Sequence, residues 1–184
     1  MIKPSEFTSG STIRLGQLAR EAGLPDGVLN VVSGYGNPAG QVLAEHPMTD
    51  MIAFTGSQRV GRQIGAFAAP TIKRVGLELG GKGPQVVFAD ADLDAAADQV
   101  SGSIFGNQGQ TCIAGSRLIV EKSVAKAFVD RLAGIAAKVA VGDPLNADTN
   151  VGALINPAQL EKVESYVAAG RAAGAEMVIG GRGE

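Results

Sequence analysis

The sequence predicts an α/β protein with parallel sheets, divided into two segments. Short β-rich runs alternate with helical patterns along the chain, and this alternation is typical of parallel-sheet folds. The run Gly80-Gly81-Lys82-Gly83-Pro84 interrupts the alternation with residues that neither helices nor strands tolerate well. A hydrophobic content of 45% is enough to form a buried core. We therefore expect a first segment over residues 1–80 and a second over residues 81–184.

The first elements of the chain follow from local signals. Residues 11–22 carry leucines and alanines at helical spacing, and Gly23 supplies a stop signal. Residues 28–32 are β-rich and predict a strand. Pro38 stands where a second helix, over residues 39–45, is expected to begin.

The next elements complete a strand-and-helix unit. Residues 51–55 predict a strand, and Ser57 is placed to cap a helix whose apolar face includes Val60. Residues 74–79 alternate between apolar and other positions, which predicts a further strand. Three strands joined by two helices form the repeating unit of a parallel nucleotide-binding sheet. The first segment is therefore predicted to be Rossmann-like.

The second segment has its own strands and helices. A strand over residues 85–89 and a helix over residues 91–105 precede the only cysteine. Ser123 is placed to cap a helix with an apolar inner face, and Asn156 to start a last helix that ends near Gly174. The remaining predicted elements are strands over residues 118–120 and 177–179.

Composition and charge exclude several classes of function. The net charge is −2 with no run of lysines or arginines, so neither nucleic acid nor an anionic membrane surface is expected as a partner. No apolar run approaches the roughly 18 residues of a membrane span. A single cysteine excludes an internal disulfide framework and a cysteine-rich zinc site. A lone thiol fits a reducing compartment, and we expect a cytoplasmic protein.

Cys112 is a candidate nucleophile because it lies in a polar, glycine-rich stretch. Glycines on both sides leave room for a ligand, and Arg117 would favour a thiolate. The alternative is a small buried side chain, the usual state of a free cysteine. A cysteine hydrolase generally needs a histidine, and the only one, His46, is expected to be a solvated turn residue.

Two glycine-containing turns are candidate phosphate sites. Gly34, Gly36 and Gly40 follow a predicted strand, but their last spacing is one residue longer than in a dinucleotide fingerprint, so an ordinary turn is the alternative. Gly56 and Ser57 end a strand and begin a helix, whose free N–H groups would attract a pyrophosphate.

Carboxylates supply the other candidates. Glu78 lies near the carboxyl end of a predicted strand, where ligands of open α/β sheets collect, and is a candidate general base. The alternative is a solvated charge or an ion-pair partner for Arg74 or Lys82. The acidic cluster of residues 90–98 lacks the spacing of a calcium loop, and helix capping explains it, so no metal site is predicted.

Four motifs together resemble the aldehyde dehydrogenase superfamily. They are Lys3-Pro4-Ser5-Glu6, Phe54-Thr55-Gly56-Ser57, Leu77-Glu78-Leu79-Gly80-Gly81-Lys82 and Gly109-Gln110-Thr111-Cys112, in the order seen in that family. The resemblance covers the whole chain. It implies the latter part of a Rossmann-like cofactor domain followed by the first part of an α/β catalytic domain.

The resemblance also implies roles for these residues. Cys112 matches the nucleophile that attacks an aldehyde, and Glu78 the general base. The implied cofactor is NAD, with NADP as a possibility, and a carboxylate at Glu6 would repel the 2′-phosphate of NADP. The matching cofactor-binding positions are Lys3, Glu6, Gly36, Gly56, Ser57, Val60 and Leu79. Full-length members of the family are expected to be homo-oligomers.

Members of this family are more than twice as long as the chain, which resembles the middle of such an enzyme. We therefore expect a fragment with little or no activity of its own. One alternative to a dehydrogenase is an inactive fragment that retains nucleotide binding or self-association. Another is a thiol acyltransferase or esterase that uses Cys112 without redox chemistry.

Overall fold

The computed structural model describes residues 1–181 and separates into two compact units. The first unit is Met1–Leu79, and the second begins at Gly80. Each unit contains a two-stranded parallel sheet and helices of its own. The α/β class with parallel strands, predicted from the sequence, is confirmed.

The first unit is built around two adjacent parallel strands joined by a helix. Strands β1 (Met51–Gly56) and β2 (Arg74–Leu79) pair in register from Met51 opposite Arg74 to Gly56 opposite Leu79. The helix between them is α3 (Gln58–Ala68). Two further helices precede the sheet in the chain, α1 (Ser9–Glu21) and α2 (Gln41–Glu45).

Helix α3 begins where the sequence predicts. The side chain of Ser57 accepts a hydrogen bond from the backbone N–H of Val60 at 3.3 Å, which satisfies one of the free donors of the first turn. Ile64 and Ala68 are buried on the inner face of the helix. Gly61 on the same face lies so close to Leu79 that a Cβ atom there would be 2.8 Å from a methyl carbon of that leucine. The absence of a side chain at residue 61 therefore sets how closely α3 approaches β2.

Two predictions for the first unit are corrected. The expected strand over residues 28–32 is reduced to one parallel bridge, between Ile2 and Val31. Pro4 follows closely and has no N–H with which to extend the pairing. The helix expected over residues 39–45 is regular only from Gln41, because Gly36–Gly40 forms a wider π-helical turn instead. Within that turn Asn37 is extended (φ −119°, ψ 124°), as a residue before proline usually is.

The second unit has a parallel pair of strands packed against helices. Strands β3 (Pro84–Val87) and β4 (Arg117–Val120) pair along their full lengths. The helices are α4 (Leu93–Phe105), α5 (Ala125–Ala136) and α6 (Pro157–Ala172). The core cluster of this unit combines β3, α4 and α5 through Val87, Ala97, Val100 and the fully buried Phe128.

Two of the three expected helix caps in this unit are present. The carboxylate of Asp92 accepts from the N–H groups of Asp94 and Ala95 at 3.1 Å, and Asn156 accepts from the N–H of Gln159 at 2.8 Å. The expected cap by Ser123 is wrong. Its hydroxyl donates to Glu121 at 2.8 Å instead, and α5 begins without a side-chain cap.

The strand expected over residues 177–179 is also wrong. This segment has no partner strand within residues 1–181, and an extended segment becomes a strand only by pairing. No helix of the described part, residues 1–181, is long and apolar enough to cross a membrane.

Candidate functional site

Cys112 lies at the tip of a tight turn in the second unit. The turn is closed by a hydrogen bond of 3.1 Å from the N–H of Ala114 to the carbonyl of Thr111. Cys112 is a free, exposed thiol, and Ile113 beside it is 84% exposed. Ala114 is buried, so the chain turns inward directly after the tip. The alternative interpretation of Cys112 as a small core residue does not apply within this unit.

The turn is anchored on its N-terminal side. Asn107 and Gln108 have left-handed backbone angles (φ 50° and 55°), which is uncommon for residues other than glycine. Asn107 accepts from the N–H of Gln110 at 2.9 Å, and the side-chain oxygen of Gln110 accepts from the N–H of Ile155 at 3.1 Å. Gln110 therefore connects the cysteine turn to a segment far along the chain.

A second anchor holds the C-terminal side of the turn. The N–H of Gly115 donates to the hydroxyl of Ser103 at 3.0 Å, and its carbonyl accepts from the side-chain amide of Gln85 at 2.9 Å. A Cβ atom at residue 115 would overlap the side chain of Gln85, so glycine permits this close approach. Sequence reasoning found neither Gln85 nor Ser103.

Arg117 has a partner of its own in the structure. Its guanidinium donates to the carbonyl of Lys82 through Nε at 2.9 Å and Nη2 at 2.6 Å. This contact connects the start of β4 to the glycine-rich run that precedes β3. In the structure, Arg117 therefore holds these two segments together.

Glu78 belongs to the first unit and Cys112 to the second. Glu78 lies in β2 opposite Thr55 of β1, and its side chain is exposed. No ion pair involves Glu78 within residues 1–181, so the suggested pairing with Arg74 or Lys82 is not seen.

A cleft of about 680 Å³ in the first unit brings together three of the predicted cofactor-binding residues, Lys3, Gly36 and Val60. The ammonium of Lys3 donates to the carbonyl of Gly34 at 3.0 Å and to that of Pro4 at 2.6 Å. A Cβ atom at Gly40 would lie 3.4 Å from the Lys3 stem. Lys3 is thus held against the glycine turn that the sequence indicated as a candidate phosphate site.

The other predicted cofactor residues do not line this cleft. Ser57 caps α3, and Leu79 packs against Gly61 at the end of β2. Gly56 lies against the ring of Phe54, where an added Cβ would be 2.5 Å from a ring carbon. Glu6 is exposed in the turn that precedes α1. Helix α3 and strand β2 nevertheless pack on one another, so their residues lie next to each other.

The remaining polar candidates have structural roles. The ring of His46 accepts from the N–H of Met48 at 3.2 Å in an exposed turn, as expected for a solvated turn residue. Within residues 1–181 no group of three or more His, Cys, Asp or Glu side chains is arranged to hold a metal ion. Glu121 accepts from the N–H of Ala89 at 2.9 Å, and this bond, followed by that from Ser123, holds the pKa of Glu121 below its ordinary value.

Comparison with known proteins shows which family this architecture belongs to. The sequence profile of the aldehyde dehydrogenase family matches residues 1–184. A crystal structure of an NAD-dependent aldehyde dehydrogenase from Sinorhizobium meliloti is 64% identical, with a TM-score of 0.96 over 99% of this chain and 37% of that one. A crystal structure of an indole-3-acetaldehyde dehydrogenase in complex with NAD+ is 48% identical, with a TM-score of 0.95 over 98% of this chain and 37% of that one.

A curated relative from Escherichia coli (strain K12), the NADP/NAD-dependent aldehyde dehydrogenase PuuC, is 48% identical over 99% of this chain and 37% of its own length. The α/β fold of this chain is thus shared with aldehyde dehydrogenases, a class of oxidoreductases. The chain belongs to the aldehyde dehydrogenase family, and it spans about 37% of the length of these relatives.

Proposed function

We propose that this chain supplies the nucleophile and part of the cofactor-binding surface of an aldehyde dehydrogenase, which oxidises an aldehyde to a carboxylic acid. The observation that carries the proposal is the exposed thiol of Cys112 at the tip of an anchored turn, in a chain that matches this family throughout. An exposed thiol is accessible to an electrophilic carbon, and anchors on both sides limit the directions in which it attacks.

The chemistry assigned to Cys112 is covalent. Its thiolate attacks the aldehyde carbon to form a thiohemiacetal, and the backbone N–H of Cys112 is proposed to stabilise the oxygen as negative charge develops. NAD+ or NADP+, when bound, would supply the hydride acceptor that oxidation of the thiohemiacetal to a thioester requires. Glu78 is proposed as the general base that takes a proton from the thiol or from the water that hydrolyses the thioester.

The first unit fits the adenosine portion of a dinucleotide. Its cleft combines apolar residues, Val60 among them, with the ammonium of Lys3 and the small residue Gly36. The N-terminal turn of α3 presents its positive dipole end beside Gly56 and Ser57, where the pyrophosphate is proposed to bind. We propose that Lys3, Glu6, Gly36, Gly56, Ser57, Val60 and Leu79 contribute to this surface.

The names of two relatives support the cofactor assignment. One relative was solved in complex with NAD+, and another is named as NADP/NAD-dependent. We propose NAD+ as the cofactor of this chain, with NADP+ as the alternative, and an aldehyde as the substrate. This sequence spans about 37% of the length of its relatives. We also propose that the whole protein is a homo-oligomer.

The proposal is tested by following the acyl group on Cys112. The whole protein that contains this chain is incubated with NAD+ and an aldehyde such as propionaldehyde, then quenched in acid and analysed by mass spectrometry. We expect an acyl adduct on Cys112 that is absent in Cys112→Ser. In Glu78→Gln we expect the adduct to persist longer, since loss of a general base typically slows its step by about 10²-fold or more. An adduct elsewhere in the chain would exclude Cys112 as the nucleophile.

A second candidate function is nucleotide binding without catalysis. It is favoured by the cleft of the first unit, which brings Lys3, Gly36 and Val60 together. Calorimetric titration with NAD+ discriminates the two candidates. Saturable binding with no adduct on Cys112 supports the binding role, and an adduct that depends on NAD+ supports the dehydrogenase.

A further inference from the structure

The peptide group of Gly115 is held from both sides by side chains of two different elements. The hydroxyl of Ser103 in α4 accepts a hydrogen bond from the N–H of Gly115 at 3.0 Å. The side-chain amide of Gln85 in β3 donates a hydrogen bond to the carbonyl of Gly115 at 2.9 Å. We propose that Ser103 and Gln85 are positioning residues for the Cys112 thiol. This inference rests on the proposed role of Cys112 as nucleophile.

Both side chains belong to elements that form the core of the second unit. Strand β3 contributes Val87 to that core, and α4 contributes Ala97 and Val100. Ser103 lies just after Val100 on the same helix, and Gln85 just before Val87 on the same strand. A hydrogen bond to either side chain therefore ties the turn to rigid structure.

The two bonds act close to the thiol. Gly115 lies three residues after Cys112, and the residue between the tip and the anchor, Ala114, is buried. Between Thr111 and Gly115, only Cys112 and Ile113 are exposed, and neither is anchored by a side chain. Loss of the Gly115 anchor would let the tip rotate, and the thiol would lose its fixed direction relative to the backbone N–H of its own residue.

The consequence is a difference between two reactions of the same thiol. Alkylation by iodoacetamide forms an S–C bond as iodide leaves and requires no oxyanion donor. Acetylation by p-nitrophenyl acetate forms an S–C bond at a carbonyl as p-nitrophenolate leaves, and it passes through an oxyanion that the Cys112 N–H would stabilise. Since the chain has one cysteine, both rates report this thiol alone.

The experiment measures both rate constants in the full chain at one pH, and their ratio is the readout. The variants are Ser103→Ala, Gln85→Leu and Ser103→Thr, which keeps the hydroxyl. Ser116→Ala, an exposed serine of the same loop, is the matched control. We expect the ratio of acetylation to alkylation to fall about tenfold in Ser103→Ala and Gln85→Leu, and to stay near the parent value in Ser103→Thr and Ser116→Ala.

Two results would overturn the positioning role. One is an unchanged ratio in both Ser103→Ala and Gln85→Leu, which includes an equal fall in both rate constants. The other is a ratio in Ser103→Thr as low as in Ser103→Ala, although its circular dichroism spectrum matches the parent. Failure of the proposed function gives a different signature. In that case the parent chain itself shows the same ratio as free N-acetylcysteine.

Discussion

The ammonium nitrogen of Lys73 lies 2.7 Å from the carbonyl oxygen of His46, at the end of helix α2. The same ammonium donates to the carbonyl of Ala44 at 2.8 Å, and the side chain is 9% exposed. Lys73 directly precedes β2, so one buried cation connects the start of a strand to the final carbonyls of a helix. Cations are favourable at this end of a helix because its carbonyls have no intrahelical partners.

Replacing Lys73 with methionine keeps most of the apolar stem but removes the ammonium donor from both carbonyls. The carbonyl of His46 still accepts from the N–H of Thr49 at 3.0 Å, so the main loss is at Ala44. We expect the free energy of unfolding to fall by about 2 kcal/mol, the usual cost of an unsatisfied buried polar group. Urea denaturation followed by circular dichroism measures the change. Lys122→Met, at an exposed lysine, is the control and should leave stability nearly unchanged. Equal effects of the two substitutions would contradict the role of Lys73.

Gly61 and Gly65 lie one turn apart in α3 and should respond oppositely to alanine. A Cβ atom at Gly61 would be 2.8 Å from Leu79, whereas none of the surrounding atoms lies within 4 Å of one at Gly65. Gly65→Ala should stabilise the chain by about 0.5–1 kcal/mol through helix propensity. Gly61→Ala should destabilise it by about 1–2 kcal/mol through overpacking. Thermal unfolding of both variants tests this difference, and a stabilised Gly61→Ala would show that α3 and β2 separate without cost.

Glu121 should titrate below the range of ordinary glutamates. Hydrogen bonds from the N–H of Ala89 and the hydroxyl of Ser123 stabilise its charged form and lower its pKa in the folded chain. The stabilisation is present above the pKa of the unfolded carboxyl and is lost as the pH falls through the lower folded pKa. Carboxyl-detected NMR titration measures the midpoint directly.

The same titration separates the two hydrogen bonds of Glu121. The bond from Ala89 is the larger cause of the shift, so Ser123→Ala should keep most of it. In Glu121→Gln the corresponding loss of stability at acid pH should disappear. A midpoint at the ordinary glutamate value in the parent chain would refute the bonded arrangement.

Glu6 is expected to favour NAD+ over NADP+. Its exposed carboxylate would repel the 2′-phosphate if it lies at the adenosine ribose, as the family resemblance implies. Glu6→Gln should raise the affinity for NADP+ by about tenfold, equivalent to about 1.4 kcal/mol, with little change for NAD+. Dissociation constants from calorimetry provide the test. Asp26→Asn, another exposed carboxylate of the first unit, is the control, and tighter NADP+ binding by the parent chain would refute the preference.

Local signals predicted the elements whose ends are determined by neighbouring residues. Ser57, Asp92 and Asn156 each cap a helix within three residues, so their sequence positions were sufficient. Ser123 was wrongly predicted to cap a helix because its hydroxyl donates a hydrogen bond to Glu121. That carboxylate is held in turn by Ala89, which lies 32 residues away and is brought close by the pairing of β3 with β4.

The candidate site was predicted in part for the same reason. The glycines and polar residues around Cys112 indicated an accessible thiol, and the turn is exposed as expected. Its anchors come from Gln85, 30 residues before Gly115, and from Ile155, 45 residues after Gln110. Such long-range hydrogen bonds have no periodic signal in a single sequence, so the folded arrangement of β3, α4 and the loops was needed to find them.

The exposure of the single thiol also determines how the chain responds to oxidants. Residues 1–184 contain no second cysteine, so no disulfide within this chain can protect Cys112 once it reaches the sulfenic acid state. The sulfenic acid then condenses with a thiol from another molecule, such as glutathione or a second copy of the chain, or it proceeds to the irreversible sulfinic acid. The accessibility on which the proposed attack on a carbonyl depends therefore also makes the chain dependent on external reductants.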